Sequence, residues 1–64
     1  MFPVAFLPQL AEQSTREALS FIKKANRVFN KDDQRAFGLC LAAVDRLERA
    51  ADDLRAYVEQ MRQP

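Results

Sequence analysis

The spacing of apolar residues in the second half of the chain constrains the fold more than any other feature. Between residues 37 and 61 they recur at alternating intervals of three and four, through almost four heptads. They are Phe37, Cys40, Val44, Leu47, Ala51, Leu54, Val58 and Met61. This is the period of an α-helix with an apolar a/d seam, as in coiled coils, whereas a half-buried strand alternates every second residue. The pattern predicts a helix over about residues 33–62.

A second amphipathic segment precedes this helix. Its apolar residues, from Leu10 to Phe29, also recur every three or four positions. Pro8 suits the first position of a helix, because its φ angle is already helical and its missing N–H is not needed there. We predict a helix over about residues 8–29.

The stretch from Asn30 to Asp33 interrupts both patterns. Asn tolerates the left-handed conformation that ends helices, and Asn or Asp accepts a hydrogen bond from the free N–H groups at the next helix start. The expected cap is either Asn30, with Asp33 three residues later, or Asp32 alone. We predict a turn over residues 30–32.

Alanine repeats every seven residues in both predicted helices. The two columns are Ala11, Ala18 and Ala25, and Ala36, Ala43 and Ala50. Facing columns of alanine let two helices approach to about 8 Å, the short end of the usual interaxial range. We therefore predict an all-α fold, a two-helix antiparallel hairpin with the alanine columns at its internal contact. The alternative is that alanine is simply a good helix former and that part of the spacing is chance.

The larger apolar side chains then point away from the internal contact of the hairpin. A single cysteine and the lack of histidine leave no intramolecular disulfide and no Cys/His zinc site to help a 64-residue chain fold. A partner chain remains, and we expect a homodimeric four-helix bundle. The expected oligomer interface consists of Phe21, Ile22, Phe29, Phe37, Val44, Leu47 and Leu54.

The two predicted helices differ in length. About 22 residues span roughly 33 Å and about 30 residues span roughly 45 Å, so the end of the second helix has no helix beside it. Residues 1–7 form an apolar leader next to that end, before a single hairpin domain over residues 8–62. We expect the leader to pack over it; the alternative is an exposed patch that docks a partner. The residues concerned are Phe2, Val4, Phe6, Tyr57, Val58 and Met61.

The residue types argue against catalysis. Without histidine, acid–base chemistry would need a perturbed carboxylate, Lys, Tyr or Cys in a dry pocket that two helices do not enclose. We expect no enzyme activity, no cofactor, no metal and no small-molecule substrate. The acids of the second helix alternate with Arg46, Arg49 and Arg55, which indicates a solvated, ion-paired face. Cys40 lies at a core position of the seam, where we expect it to be buried and to act as a small apolar residue.

The chain shows no membrane or export signal that we recognise. The apolar run of residues 1–7 is interrupted by Pro3 and is far shorter than the ~20 residues of a membrane span. The single cysteine and the lack of a cationic segment before a cleavable apolar stretch favour a reducing compartment. We expect a cytoplasmic protein with no membrane partner.

Charge is unevenly distributed along the chain. Residues 1–31 carry five basic and two acidic groups, net +3, and residues 32–64 carry five basic and seven acidic groups, net −2. A basic stripe on the first helix consists of Lys23, Lys24, Arg27 and Lys31. Such a stripe binds the phosphates of RNA or DNA in some proteins and is an ordinary soluble surface in others.

The short chain, the two-helix plan, the acidic turn from Asn30 to Gln34 and a cysteine early in the second helix resemble the Rop family of small plasmid-encoded hairpins. That resemblance implies a dimeric four-helix bundle that binds paired RNA loops through one helical face. The unequal helices and the apolar leader depart from the family's plan, and no binding residue is carried over.

Three functions remain open from the sequence. The first is a small regulatory or adaptor protein that binds a protein partner. The second is a nucleic-acid-binding bundle that uses the basic stripe. The third is one half of an obligate hetero-complex, of the secretion-chaperone or antitoxin type. All three require the same amphipathic hairpin.

Overall fold

The computed structural model describes residues 6–63, which form two antiparallel helices, α1 (Leu7–Val28) and α2 (Asp33–Arg62). Together they make a rod of 52 × 16 × 14 Å. The predicted all-α hairpin is confirmed, and so is its asymmetry, since α1 has 22 residues and α2 has 30. No helix in this part of the chain is both long and apolar enough to cross a membrane.

The start of α1 differs slightly from the prediction. The helix begins at Leu7, one residue early, so Leu7 belongs to α1 and not to the leader. Pro8 is its second residue, still within the first turn, where a backbone N–H has no helical partner. Phe6 occupies the cap position without a side-chain hydrogen bond and is about half exposed. Residues 1–5, and with them Phe2 and Val4, lie outside the described residues.

The turn between the helices follows the chemistry of its residues. Asn30 adopts a left-handed conformation with a φ of 71°. The N–H groups of Lys31 and Asp32 both donate to the carbonyl of Val28 at 2.9 Å, which satisfies the end of α1. Asp32 is the cap of α2, because its Oδ1 accepts a hydrogen bond from the N–H of Arg35 at 3.1 Å. Of the two expected caps, Asp32 alone is therefore correct.

Alanine forms the entire buried core of the described hairpin. Six residues are buried, each at most 6% exposed, and all belong to the two predicted columns: Ala11, Ala18, Ala25, Ala36, Ala43 and Ala50. The predicted internal contact is thus confirmed. Because each buried side chain is a single methyl group, the two helices can approach to the short end of the usual interaxial range, about 8 Å.

One ion pair and one shared depression show which parts of the two helices lie side by side. Glu17 Oε1 on α1 lies 3.2 Å from Arg46 Nε on α2. Nearer the end, Pro8 and Leu54 line the same surface depression. Residues of α2 beyond this level extend past the start of α1; there Tyr57 is partly buried, and Val58 and Met61 are exposed.

Candidate interaction surface

One side of the hairpin carries most of the large apolar side chains. We call it the apolar face; it consists of Leu19 and Ile22 from α1, of Phe29 just after the end of α1, and of Phe37, Cys40, Val44, Leu47, Leu54, Val58 and Met61 from α2. Its large side chains are 37–65% exposed. Leu19 and Leu54 line one depression on this side, and Phe29, Phe37 and Cys40 line another near the turn. The apolar face therefore runs the length of the hairpin.

The position of each residue relative to the alanine columns explains this face. A residue four places after an alanine is rotated by about 40° around the helix, and a residue one place after it by about 100°. Ile22 and Leu19 hold these two positions after Ala18, and Leu47 and Val44 hold them after Ala43. Since the helices are antiparallel, these flanks of both columns turn to the same side.

Thr15 is a polar residue on the apolar side, next to Leu54. Its hydroxyl donates to the carbonyl of Ala11 at 2.8 Å. A hydroxyl that is satisfied within its own helix leaves no unpaired donor when the surface around it is covered. Thr15 is therefore compatible with a buried contact on this side.

Phe21 lies on the other side of the hairpin, apart from the other six residues of the predicted oligomer interface. The guanidinium carbon of Arg46 lies 5.8 Å from the centre of its ring, and Lys24 Nζ lies 6.0 Å from it. Phe21 is three residues after Ala18 and Ile22 is four, and this difference places them on opposite flanks of the column. The offset of each residue from the nearest alanine of the column is therefore the signal in the sequence that separates Phe21 from the other six.

Arg46 is the centre of a polar cluster on this second side. Its side chain is 29% exposed. Its Nε forms an ion pair with Glu17, but the geometry of this pair is not that of a hydrogen bond. Its NH1 lies 2.7 Å from Asp45 Oδ2. Arg49 pairs with the same carboxylate at 3.5 Å, and Arg55 pairs with Asp52 at 3.0 Å. The predicted ion pairing along α2 is confirmed, whereas the contact of Arg46 with α1 was not predicted.

The burial predicted for Cys40 concerns the a/d seam, which a single hairpin leaves open, and stays a prediction. Cys40 is exposed in the hairpin. The physical reason is that the alanine column, and not the a/d seam, makes the contact between α1 and α2. Cys40 lies four residues after Ala36, on the apolar face. Within residues 6–63, no three acidic or cysteine side chains are placed to hold a metal ion.

The basic stripe is only partly brought together. Lys23, Lys24 and Arg27 line a shallow depression on the outward surface of α1, together with Arg16. Lys31 lies in the turn, outside that depression. No salt bridge between described residues involves Lys23, Lys24, Arg27 or Lys31.

No protein-family model matches the chain, and no curated protein or solved structure is significantly similar to it. The resemblance to the Rop family therefore stays one of general plan.

Proposed function

We propose that this chain is a non-catalytic regulatory or adaptor protein that acts through protein–protein contact, and that its apolar face pairs with a second copy to form a homodimeric four-helix bundle. The observation that carries the proposal is the contrast between core and surface. The core of the described hairpin contains only methyl groups, whereas the leucine, isoleucine, valine and phenylalanine side chains of the apolar face are exposed.

The exposed area supports a second copy as the partner. The chain exposes 5270 Å². A compact monomer of 7.4 kDa exposes only about 4,200 Å². The excess, on the order of 1,000 Å² per chain, compares with about 800 Å² that each partner buries in a standard stable interface. Pairing two copies through the apolar face would remove an area of this size.

The angles around each helix also support a bundle. Each helix in a four-helix bundle contacts two neighbouring helices, and the directions to these two neighbours differ by roughly 90° around its axis. The apolar face lies about 40–100° from the alanine column on each helix. One contact is thus already made inside the hairpin, and the other is available for the second copy.

The chemistry of the chain supports a non-catalytic role. The chain has no histidine. The arginines and acids of α2 form ion pairs with one another on an open helical surface. What the proposed bundle offers to another macromolecule is therefore its outward helical surface.

The experiment that tests the proposal replaces Leu47, which is 44% exposed in the middle of the α2 part of the apolar face. In Leu47→Asp, an unpaired carboxylate would have to enter a desolvated contact, at a cost of several kcal/mol. We expect sedimentation equilibrium to show a dimer for the native chain. We expect a monomer with reduced helical circular dichroism for the variant.

The matched control is Ala56→Asp, which places the same charge at an exposed position of α2 outside the apolar face. This variant should remain dimeric. A native chain that is monomeric with a cooperative helical melt would refute self-association, as would a Leu47→Asp variant as dimeric as its control. A native chain that is poorly helical alone would instead assign the apolar face to a different protein, as in an obligate hetero-complex.

Nucleic-acid binding is a second candidate function. It is favoured by Lys23, Lys24 and Arg27, which line one depression on the surface of α1. None of these three cations has an ion-pair partner in the described hairpin. A dimer would present this surface twice. Binding to an RNA hairpin should then weaken steeply with salt, because phosphate contacts release counterions. The double variant Lys23→Glu/Arg27→Glu should abolish it. Equal binding by this variant and the native chain would exclude the stripe.

A further inference from the structure

We propose that the two copies pair with their turns at the same end of the bundle, so that α1 of each copy packs along α2 of the other and Arg16 of one copy faces Glu48 of the second. This inference rests on the proposed self-association and adds its orientation and its electrostatic contact.

Twofold symmetry leaves two ways to bring the apolar faces together. If the symmetry axis runs along the helices, both turns lie at the same end, and α1 packs antiparallel to α2 of the second copy. If the axis is perpendicular to the helices and lies in the plane between the two apolar faces, the turns lie at opposite ends. In that case α1 packs against α1, and α2 packs against α2.

Charged residues border the apolar face on both helices. On α1, Glu12 and Arg16 line the depression that contains Leu19 and Leu54. On α2, Arg55 lies beside Leu54 and Val58 in a neighbouring depression. Glu48 precedes Arg55 by two turns, which places it on the same border. These borders come together when the two apolar faces meet.

The register places Arg16 and Glu48 at nearly the same level along the rod. Glu17 and Arg46 form an ion pair across the hairpin, so they lie near each other along the rod. Arg16 precedes Glu17 and Glu48 follows Arg46 by two residues, so on antiparallel helices the two stand within about one helical turn of each other. A symmetry axis along the helices keeps every residue at its own level, so Arg16 would meet Glu48 of the second copy.

Both side chains are available for this contact. The Arg16 side chain is 76% exposed and pairs only with Glu12 of its own helix among the described residues. Glu48 is exposed, and no salt bridge within the described hairpin involves it.

The arrangement with turns at opposite ends is electrostatically worse. The middle of α2 (Asp33–Arg62) lies between Leu47 and Glu48. Full overlap of two antiparallel α2 helices would therefore place Glu48 beside Glu48 of the second copy. It would also place the two basic halves, each of net +3, next to each other, whereas the proposed arrangement pairs each with a half of net −2. Like charges across an interface disfavour an arrangement, and opposite charges select it.

The first test exchanges the charges. Arg16→Glu and Glu48→Arg, each alone, should raise the dimer dissociation constant about tenfold, because two contacts per dimer change from attraction to repulsion. The double variant Arg16→Glu/Glu48→Arg should recover the native value to within about threefold. Arg27→Glu, on the outward surface of α1, is the control and should have little effect. A double variant no tighter than the weaker single variant would overturn the proposed contact.

The second test reads the orientation directly. In a Cys40→Ala background, one protein carries Arg16→Cys and another carries Glu48→Cys. A short bismaleimide should link the mixture into covalent dimers and should leave each protein alone unlinked. Covalent dimers from the Glu48→Cys protein alone, or no linkage in a mixture that is still dimeric, would overturn the same-end arrangement.

Sedimentation equilibrium of the same samples before linkage separates the two ways to fail. A monomer at this stage would contradict the proposed self-association itself, whereas a dimer with the wrong linkage would contradict only its orientation.

Discussion

The close approach of the two helices makes a quantitative prediction at Ala18, which is 1% exposed in the centre of the internal contact. Its opposite column contains Ala43, which is 3% exposed. Leucine at position 18 adds three carbon atoms where no space exists, so the helices must separate. We expect Ala18→Leu to destabilise the protein even though leucine is more apolar than alanine.

The magnitude follows from the six methyl groups of the core. Burial of one methyl group is worth about 0.8 kcal/mol. A gap of 0.5–1 Å forfeits roughly a quarter to a half of the dispersion contacts across it. A loss of about one third over six methyl groups is about 1.5 kcal/mol, and side-chain strain brings the expected cost to about 2 kcal/mol.

Removal of the methyl group should also be unfavourable. Ala18→Gly loses about 0.8 kcal/mol of burial and about 1 kcal/mol of helix propensity, again about 2 kcal/mol in total. Destabilisation by both a larger and a smaller residue is the signature of a tight contact. An ordinary loose core would instead be stabilised by the larger side chain.

The assay is urea unfolding followed by circular dichroism at one fixed protein concentration. Ala56, which is exposed on α2, provides the matched control. There, Ala56→Leu should change the free energy of unfolding by less than about 0.5 kcal/mol. An Ala18→Leu variant as stable as the native chain, or more stable, would refute the reasoning that alanine sets the distance between the helices.

Two further predictions concern α2. Gly38 is exposed, and a Cβ atom built on it meets nothing within 4 Å. Gly38→Ala should therefore stabilise the protein by about 0.8 kcal/mol through helix propensity, measured as a higher urea midpoint; a lower midpoint would show that another chain lies against Gly38. Asp32→Ala removes the hydrogen bond to the N–H of Arg35. It should cost about 1 kcal/mol, and Asp32→Asn should retain most of the cap, so equal losses in the two variants would contradict the capping role.

Local spacing was sufficient to predict both helices and the contact between them. Periods of three and four give the phase of a helix without reference to any distant residue, and Asn30 and Asp32 carry their turn and cap chemistry wherever the chain places them. The alanine columns were predictable for the same reason. A repeat of seven keeps each column on one side of its helix, and only methyl groups allow the helices to lie so close.

The side to which each remaining residue points depended on how the two helices pair. Phe21 and Ile22 are neighbours in sequence and equally apolar. Yet Phe21 lies beneath Arg46 on the polar side, and Ile22 lies on the apolar face. Residue spacing gives the faces of each helix, but it does not show which face of α1 and which face of α2 lie on the same side of the hairpin. The combination depends on the antiparallel direction and on the register of the contact between the helices. The same cause placed Cys40 at the surface and Arg46 against Glu17 across the hairpin.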